Sequence, residues 1–295
     1  MMKKGFSIYA VFCLVLLAAS IFSVLYLDGS GSYINNTIGS RSLTGTFFLL
    51  LAMAFAAELI DSSLGMGYGT ILSPVLIILS FPPLVVVPAI LLSQAFGGFS
   101  ASIFHHRLEN VKLTRQSRDG RIVLLITILG VVTVVGAAIL AMELSRQALK
   151  TYIGILVLIM GIVLLSRIRF RFSWKKMIGV GLLSSFNKGL SGGGFGPVVT
   201  AGQIIAGHGH KNAIGVTTAA EAPICISGFI AYYFLRGPEA ILQDWIVFVP
   251  LTIGSLLSTP IGAMITRKFP EDKVRPTLGI LVVILGIWTL AKTWL

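Results

Sequence analysis

Four ionisable residues lie in or beside apolar stretches of this chain: Glu58, Asp61, Lys188 and Glu221. Ionisable groups at membrane depth are costly and usually form ion pairs or carry function. Glu221 lies within Thr217-Thr-Ala-Ala-Glu-Ala-Pro223, deep in its apolar run, and a carboxyl there can bind and release a proton. We predict proton coupling at Glu221. Glu58 and Asp61 are predicted to share this proton-coupling or ion-pairing role, with Asp61 pairing with Lys188; the alternative is a helix end beside lipid headgroups.

Two glycine-rich strings accompany these charges. Gly65-Met-Gly67-Tyr-Gly69 recurs as Gly192-Gly193-Gly194-Phe-Gly196, 127 positions later. Such strings make poor helices, because glycine costs about 1 kcal/mol relative to alanine in a helix interior. Unwound backbone at membrane depth must be buried in protein or line a watery cavity, and the helix that resumes directs free N–H groups there. The strings therefore predict an anion site, with close helix packing as the alternative.

Uncharged polar side chains would complete such a site through hydrogen bonds. The predicted substrate-binding residues are Gly65, Gly67, Gly69, Ser93, Gln94, Ser100, Lys188, Ser191, Gly192, Gly193, Gly194, Gly196, Thr217, Thr218 and Ser227. No catalytic residue, metal site or cofactor is predicted. The four histidines lie at the end of an apolar run or in a short basic loop, and Cys13 and Cys225 lack metal-ligand spacing.

The elements that position these residues are membrane helices. Of 295 residues, 55% are hydrophobic and 12% charged, whereas soluble domains average about 25% charged. Apolar runs long enough to cross a bilayer lie near 6–27, 43–60, 84–104, 122–142, 150–166, 213–235, 245–266 and 274–294. The interrupted stretches 61–81 and 177–206 are predicted to be re-entrant hairpins or broken crossings. The net charge of +12 falls in short loops, so it predicts membrane topology rather than nucleic-acid binding.

The chain contains an internal duplication. The string GILVLIMGI at 154–162 returns as GILVVILGI at 279–287, 125 positions later. At the offset of 127, Asp61 corresponds to Lys188 and Gln94 to Glu221. One half thus presents an amide where the other presents an acid, so the halves are related but not identical in chemistry.

Charge in the loops predicts opposite orientations for the two halves. Loop 105–121 has five basic residues, whereas its counterpart 236–244 has one against two acids. Loop 267–275 carries four basic residues, and its counterpart 143–150 is weakly charged. Because basic short loops stay in the cytoplasm, this exchange of bias predicts an inverted-topology repeat, an arrangement found in secondary transporters.

The predicted fold class is an all-α polytopic membrane protein with two inverted-topology repeats, glycine-broken or re-entrant helices and an extra N-terminal transmembrane helix. Its parts are 1–42 (the first helix and an external loop), 43–166 (the first repeat), 167–176 (a basic cytoplasmic linker) and 177–295 (the second repeat). The N-terminus is expected in the cytoplasm, and the protein in the cell (inner) membrane. The first helix is expected to be retained, a cleaved signal peptide being the alternative.

The strings DSSLGMGYGTILSP at 61–74 and NKGLSGGGFGP at 187–197 resemble those of the sulfite exporter TauE/SafE family, and the likeness spans about residues 45–294. That family is similarly built from two related halves, each opening with a glycine-rich membrane motif. Its members move sulfite, sulfonates or other small organosulfur anions, so the resemblance implies an anionic substrate. The chain departs from a symmetric pattern at Lys188 and Glu221.

Together these features predict a secondary transporter that exports a small sulfur-containing anion by alternating access around the paired broken helices. Proton coupling is one option for its energy source. The alternatives are a cation transporter (Na⁺ or divalent) using the carboxylates, a non-transporting scaffold and, from the string Gly189-Leu-Ser-Gly192, an intramembrane serine protease. Expected partners are the anion and the lipid bilayer, with a homodimer as one alternative for assembly.

Overall fold

The computed structural model describes residues 43–114, 116–166, 174–205, 210–266 and 271–295, and this part of the chain contains helices and no strand. Its helices, numbered along the described chain, are α1 (Leu43–Leu64), α2 (Tyr68–Ile78), α3 (Pro83–Arg107), α4 (Arg118–Glu143), α5 (Arg146–Leu165), α6 (Trp174–Ser191), α7 (Phe195–Ile205), α8 (His210–Arg236), α9 (Pro238–Gln243), α10 (Trp245–Ile265) and α11 (Glu271–Trp294). The predicted span 6–27, most of the linker 167–176, Cys13 and His208 lie outside the described residues.

Seven of these helices, α1, α3, α4, α5, α8, α10 and α11, are long and apolar enough to cross a membrane. They coincide with the seven uninterrupted spans predicted between residues 43 and 294, so the all-α polytopic class is confirmed. Large apolar side chains remain exposed on their outer faces, such as Val132 (74% exposed) and Phe234 (76%). These apolar faces suit contact with lipid chains, because the hydrocarbon core of a membrane offers no hydrogen-bond partners for polar groups.

Glycines interrupt the two remaining apolar stretches where the sequence predicts. The stretch 61–81 contains the end of α1 and the whole of α2, and 177–206 contains most of α6 and the whole of α7. Gly65 and Gly192 have positive φ angles of 69° and 73°, and their N–H groups donate to the carbonyls of Asp61 (2.6 Å) and Lys188 (2.9 Å). Each long helix thus ends in the same left-handed turn, for which glycine is the favoured residue.

The two halves exchange one helix each. Helix α4, from the first half, packs against α6 and α8 of the second, while α10 packs against α1 and α3. Two bundles result: the first bundle is α1, α3 and α10, and the second bundle is α4, α6 and α8. They meet where α3 packs on α8, and α5 pairs with α11 beside the broken helices. Equivalent helices make equivalent contacts, as duplicated halves should; their opposite orientation in the membrane stays a prediction.

Candidate functional site

The two glycine strings contact each other through their backbones. A Cβ atom on Gly69 would overlap the carbonyl oxygen of Gly192, and one on Gly196 would lie 2.5 Å from the carbonyl oxygen of Gly65. Gly69 and Gly196 are counterparts at the 127-residue offset, as are Gly65 and Gly192, so the contact is reciprocal. Close packing, the alternative reading of these glycines, is therefore part of their role, and it brings the N-termini of α2 and α7 together.

A continuous series of polar contacts runs beside this junction. Asp61 accepts hydrogen bonds from the backbone N–H of Tyr68 (3.3 Å) and from Nε2 of Gln94 (3.1 Å). Lys188 donates to Oε1 of Gln94, and its Nζ forms an ion pair with Oε1 of Glu221 at 2.7 Å. We call Asp61, Gln94, Lys188 and Glu221 the central network. All four are buried, with exposed fractions of 5%, 2%, 1% and 3% respectively.

The expected ion pair between Asp61 and Lys188 is not a direct contact. The amide of Gln94 lies between them, because its NH₂ group donates to the carboxylate while its oxygen accepts from the ammonium group. The contact Asp61–Gln94 and the contact Lys188–Glu221 occupy equivalent positions in the two halves. A change from acid to lysine at one position thus accompanies a change from amide to acid at the other, which preserves a favourable pair in each half.

Glu58 is a third buried carboxyl in this region, with an exposed fraction of 1%. Its Oε2 accepts a hydrogen bond from the hydroxyl of Ser255 on α10 (3.2 Å). Glu58 and Asp61 both lie inside the protein, so the alternative of a helix end open to headgroups is wrong for these side chains. Three carboxyl groups and one ammonium group share the region. Because unpaired buried charge is costly, this set of four groups approaches neutrality only by binding protons or a further cation.

Tyr68 is a site residue that the sequence prediction missed. Its hydroxyl donates to Oγ of Ser93 (2.7 Å) and lies 3.3 Å from the carbonyl oxygen of Leu251 on α10. The counterpart of Tyr68 in the second string is Phe195. The sequence feature that could have identified Tyr68 is this difference between the strings, a hydroxyl in one and none in the other. Tyr68 connects the start of α2 to α3, next to Gln94.

We expect Tyr68→Phe to lower the free energy of unfolding by about 1–2 kcal/mol, because Ser93 loses a buried hydrogen-bond partner. The measurement is thermal unfolding of purified protein in detergent. Tyr233→Phe is the matched control: the described contacts of this half-buried residue are ring contacts with Phe229 and Phe234. Equal melting temperatures for Tyr68→Phe and the control would show that the Tyr68–Ser93 bond contributes nothing.

The other predicted polar residues divide into those at the junction and those elsewhere. Ser191 bonds to backbone, donating to the carbonyl of Asn187 (2.7 Å) and accepting from the N–H of Gly193 (3.0 Å), so it supports the glycine turn. Thr217 accepts hydrogen bonds from Thr200 (2.9 Å) and Gln203 (3.2 Å), which attach α8 to α7.

Three predicted residues have no described hydrogen bond with the central network, with the glycine strings or with α7. Ser100 bonds to Thr259 of α10 at 2.8 Å. Ser227 donates to the carbonyl of Pro223 in its own helix. Thr218 is buried on α8. The sequence criterion, a polar residue in the segment that follows each glycine string, did not separate these from Ser93 and Gln94.

The described residues thus form seven apolar helices around buried, paired charges, which is the architecture of a multi-pass membrane transporter. Comparison with known proteins agrees, since the chain is 25% identical over 262 residues to the "Probable membrane transporter protein YtnM" of Bacillus subtilis (strain 168), covering 83% of this chain and 84% of that protein. The chain belongs to the sulfite exporter TauE/SafE family, whose model matches residues 49–289. No solved structure matches it.

Family membership settles two questions that the sequence left open. The resemblance inferred from the paired glycine strings is confirmed. The chain is a membrane transporter and not an enzyme, so the protease alternative is dropped. In keeping with this, the described hydrogen bonds of the Ser191 hydroxyl are with backbone groups, where a protease would place a general base.

Proposed function

We propose that the protein exports a small sulfur-containing anion, such as sulfite or an organosulfonate, across the cell membrane. The family's description as a sulfite exporter supports this substrate class. The proposed setting is the inner membrane, with a cytoplasmic N-terminus as the positive-inside rule predicts. The observation that carries the proposal is the position of Lys188.

Lys188 stands where the first half has a built-in anion. At the start of α2, the carboxylate of Asp61 accepts a hydrogen bond from the backbone N–H of Tyr68 (3.3 Å). It so occupies the positive end of the helix dipole. The counterpart position, seven residues before the start of α7, holds Lys188 instead. An anion bound by Lys188 would take, for α7, the place that Asp61 takes for α2. Helix N-termini combined with a cation favour small oxyanions.

The arrangement of the network supports alternating access. Asp61 and Gln94 belong to the first bundle, and Lys188 and Glu221 to the second. Gln94–Lys188 is therefore the one link of the network that crosses between bundles, whereas the two other links stay within a bundle. Because Lys188 is 1% exposed, an anion reaches it only when the bundles separate. Rocking of one bundle against the other would break this single link and open the site on one side at a time.

A cation transporter is the alternative that one observation favours, since three carboxyl groups outnumber Lys188 in the buried region. Unwound carbonyls and acids can coordinate Na⁺ or a divalent ion. Against this, no three acids, histidines or cysteines within the described ranges are gathered closely enough to hold a metal ion. One carboxyl, Glu221, is also already engaged by the lysine.

Thermal unfolding of detergent-purified protein tests the proposal. We expect sulfite or a sulfonate to raise the melting temperature selectively over sulfate and acetate, all added as sodium salts at matched ionic strength. A ligand at 100 times its Kd stabilises the folded state by about 2.7 kcal/mol. Chloride salts of Na⁺, Mg²⁺ and choline are the matched series for cations. Stabilisation that follows the cation, or that is equal for all anions, would contradict the proposed substrate class.

A further inference from the structure

We infer that Glu221 is the built-in occupant of the anion site: the transported anion replaces its carboxylate on Lys188, and Glu221 takes up a proton when it leaves. This inference rests on the proposed function and adds a mechanism of coupling to it. The ion pair between Lys188 and Glu221 breaks and one between Lys188 and the anion forms. A proton from solution attaches to a carboxylate oxygen of Glu221, and the anion itself is chemically unchanged.

The contacts of the three carboxyl groups single out Glu221. Asp61 is held by two donors, one of them the N–H at the start of α2, so its departure would leave a helix end unsatisfied. Glu58 contacts Ser255 rather than the lysine. The described part of the chain gives Glu221 one polar partner, Lys188. Glu221 can therefore leave by breaking a single contact, and that contact is with the group an anion would seek.

One anion replaces one carboxylate on Lys188, because the site is buried and its acceptor positions are filled. Lys188 and Glu221 are 1% and 3% exposed, and the second acceptor on Lys188, Gln94, is itself tied to Asp61. While both acceptors are in place, the ammonium group has no open side on which an anion could bind. When the bundles separate, an oxyanion in the place of Gln94 would lie beside the like-charged carboxylate of Glu221. It therefore takes the position of that carboxylate, which has the same charge and the same type of acceptor atom.

The charges around Glu221 explain why a proton must accompany the exchange. Lys188 attracts the Glu221 carboxylate from α6, whereas Glu58 and Asp61 repel it electrostatically from α1. Cys225 lies one turn later on α8. From α3 the neutral amide of Gln94 faces the pair. Asp119 of α4 meets α8 at Asn212, more than two turns away.

Once the anion holds Lys188, an ionised Glu221 would remain buried beside two carboxyl groups without a cation. Protonation removes that charge. By linkage, a site that takes up a proton on binding binds its ligand more tightly as the pH falls. The pair thereby ties anion movement to proton movement in the same direction, so each exported anion carries one proton outward and the anion's own concentration gradient must drive export.

The test counts protons on the wild-type protein. Ethanesulfonate is the main probe, because its sulfonate group stays ionised and cannot itself take up the proton; sulfite is run in parallel, corrected for its own titration. The anion is added to purified protein in weakly buffered solution containing a pH indicator. We expect uptake of about one proton per bound anion. The affinity should fall about tenfold for each unit rise in pH, over the range where Glu221 is ionised in the free protein and protonated in the complex.

Two isosteric variants then locate the proton. Glu221→Gln is expected to bind the anion with no proton uptake and with an affinity independent of pH. Glu58→Gln removes a carboxyl from the same region that does not contact Lys188, and it is expected to keep the uptake, whatever its affinity. Uptake that persists in Glu221→Gln, or that disappears in Glu58→Gln, would overturn the inference while leaving anion binding in place.

The remaining outcomes are also decisive. If the wild type binds an anion with no proton uptake, the exchange is wrong even when Glu221→Gln fails to fold, and the substrate proposal stands. If neither sulfite nor the sulfonate binds the wild type at any pH, the proposed function fails, and the exchange inference fails with it.

Discussion

Gly69→Ala is expected to leave little folded protein. The new Cβ would overlap the carbonyl oxygen of Gly192 and lie 2.9 Å from the Cα of Gly193. Both obstacles are backbone atoms, which cannot rotate away as a flexible side chain does. Overpacking of a core typically costs about 1–3 kcal/mol, and we expect Gly69→Ala to reach or exceed the upper end. The measurements are the yield of monodisperse protein and its apparent melting temperature.

Gly136→Ala on α4 is the matched control, because a Cβ at Gly136 would meet no heavy atom within 4 Å. Alanine in a helix is more stable than glycine by about 0.5–1 kcal/mol, so this variant should be at least as stable as the wild type. Wild-type yield and melting temperature for Gly69→Ala would show that the two breaks do not meet through their backbones.

Lys188→Met is expected to abolish anion-dependent stabilisation and anion transport. Methionine preserves much of the side-chain volume but removes the cation that the site offers. Loss of one partner from a buried, hydrogen-bonded charge pair costs about 2–5 kcal/mol, which corresponds to a loss of affinity of at least about 30-fold. The measurements are thermal unfolding with and without sulfite or a sulfonate, and sulfite efflux from proteoliposomes.

Stability must be separated from binding in this variant, because Lys188→Met leaves Glu221 buried without its cation. The double variant Lys188→Met/Glu221→Gln removes both charges and should recover stability, since neutral replacement of a buried pair is tolerated far better than loss of one partner. Lys211→Met, at an exposed position near the start of α8, controls for loss of a positive charge elsewhere. Anion-dependent stabilisation of the double variant would refute the role of Lys188.

The helices and their breaks were predictable because the signals are local. Each span needs a run of apolar residues, and each break needs glycines within such a run, so every prediction depends on a short window of sequence. The seven described spans and the turns at Gly65 and Gly192 follow directly. The duplication was equally visible, because both strings keep their spacing.

The contacts between helices were not predictable in the same way. Hydropathy gives the existence of α10 but not its partner, and α10 packs on the first half. The bond between Ser255 and Glu58 was missed for that reason. Sequence equivalence likewise paired Asp61 with Lys188, since it shows which positions match between halves. It does not show which positions touch, and each of these residues touches a partner from its own half.

The exchange of α4 and α10 also sets the order in which a growing chain can reach its final packing. Glu58 emerges from the ribosome 197 residues before Ser255, its partner on α10. At about 5–20 residues per second, that interval lasts about 10–40 seconds. Helix α4 likewise waits for α6 and α8. During biosynthesis the first half therefore stays in the insertion machinery or the lipid with an acid unpartnered until α10 arrives, and α5 waits still longer for its partner α11.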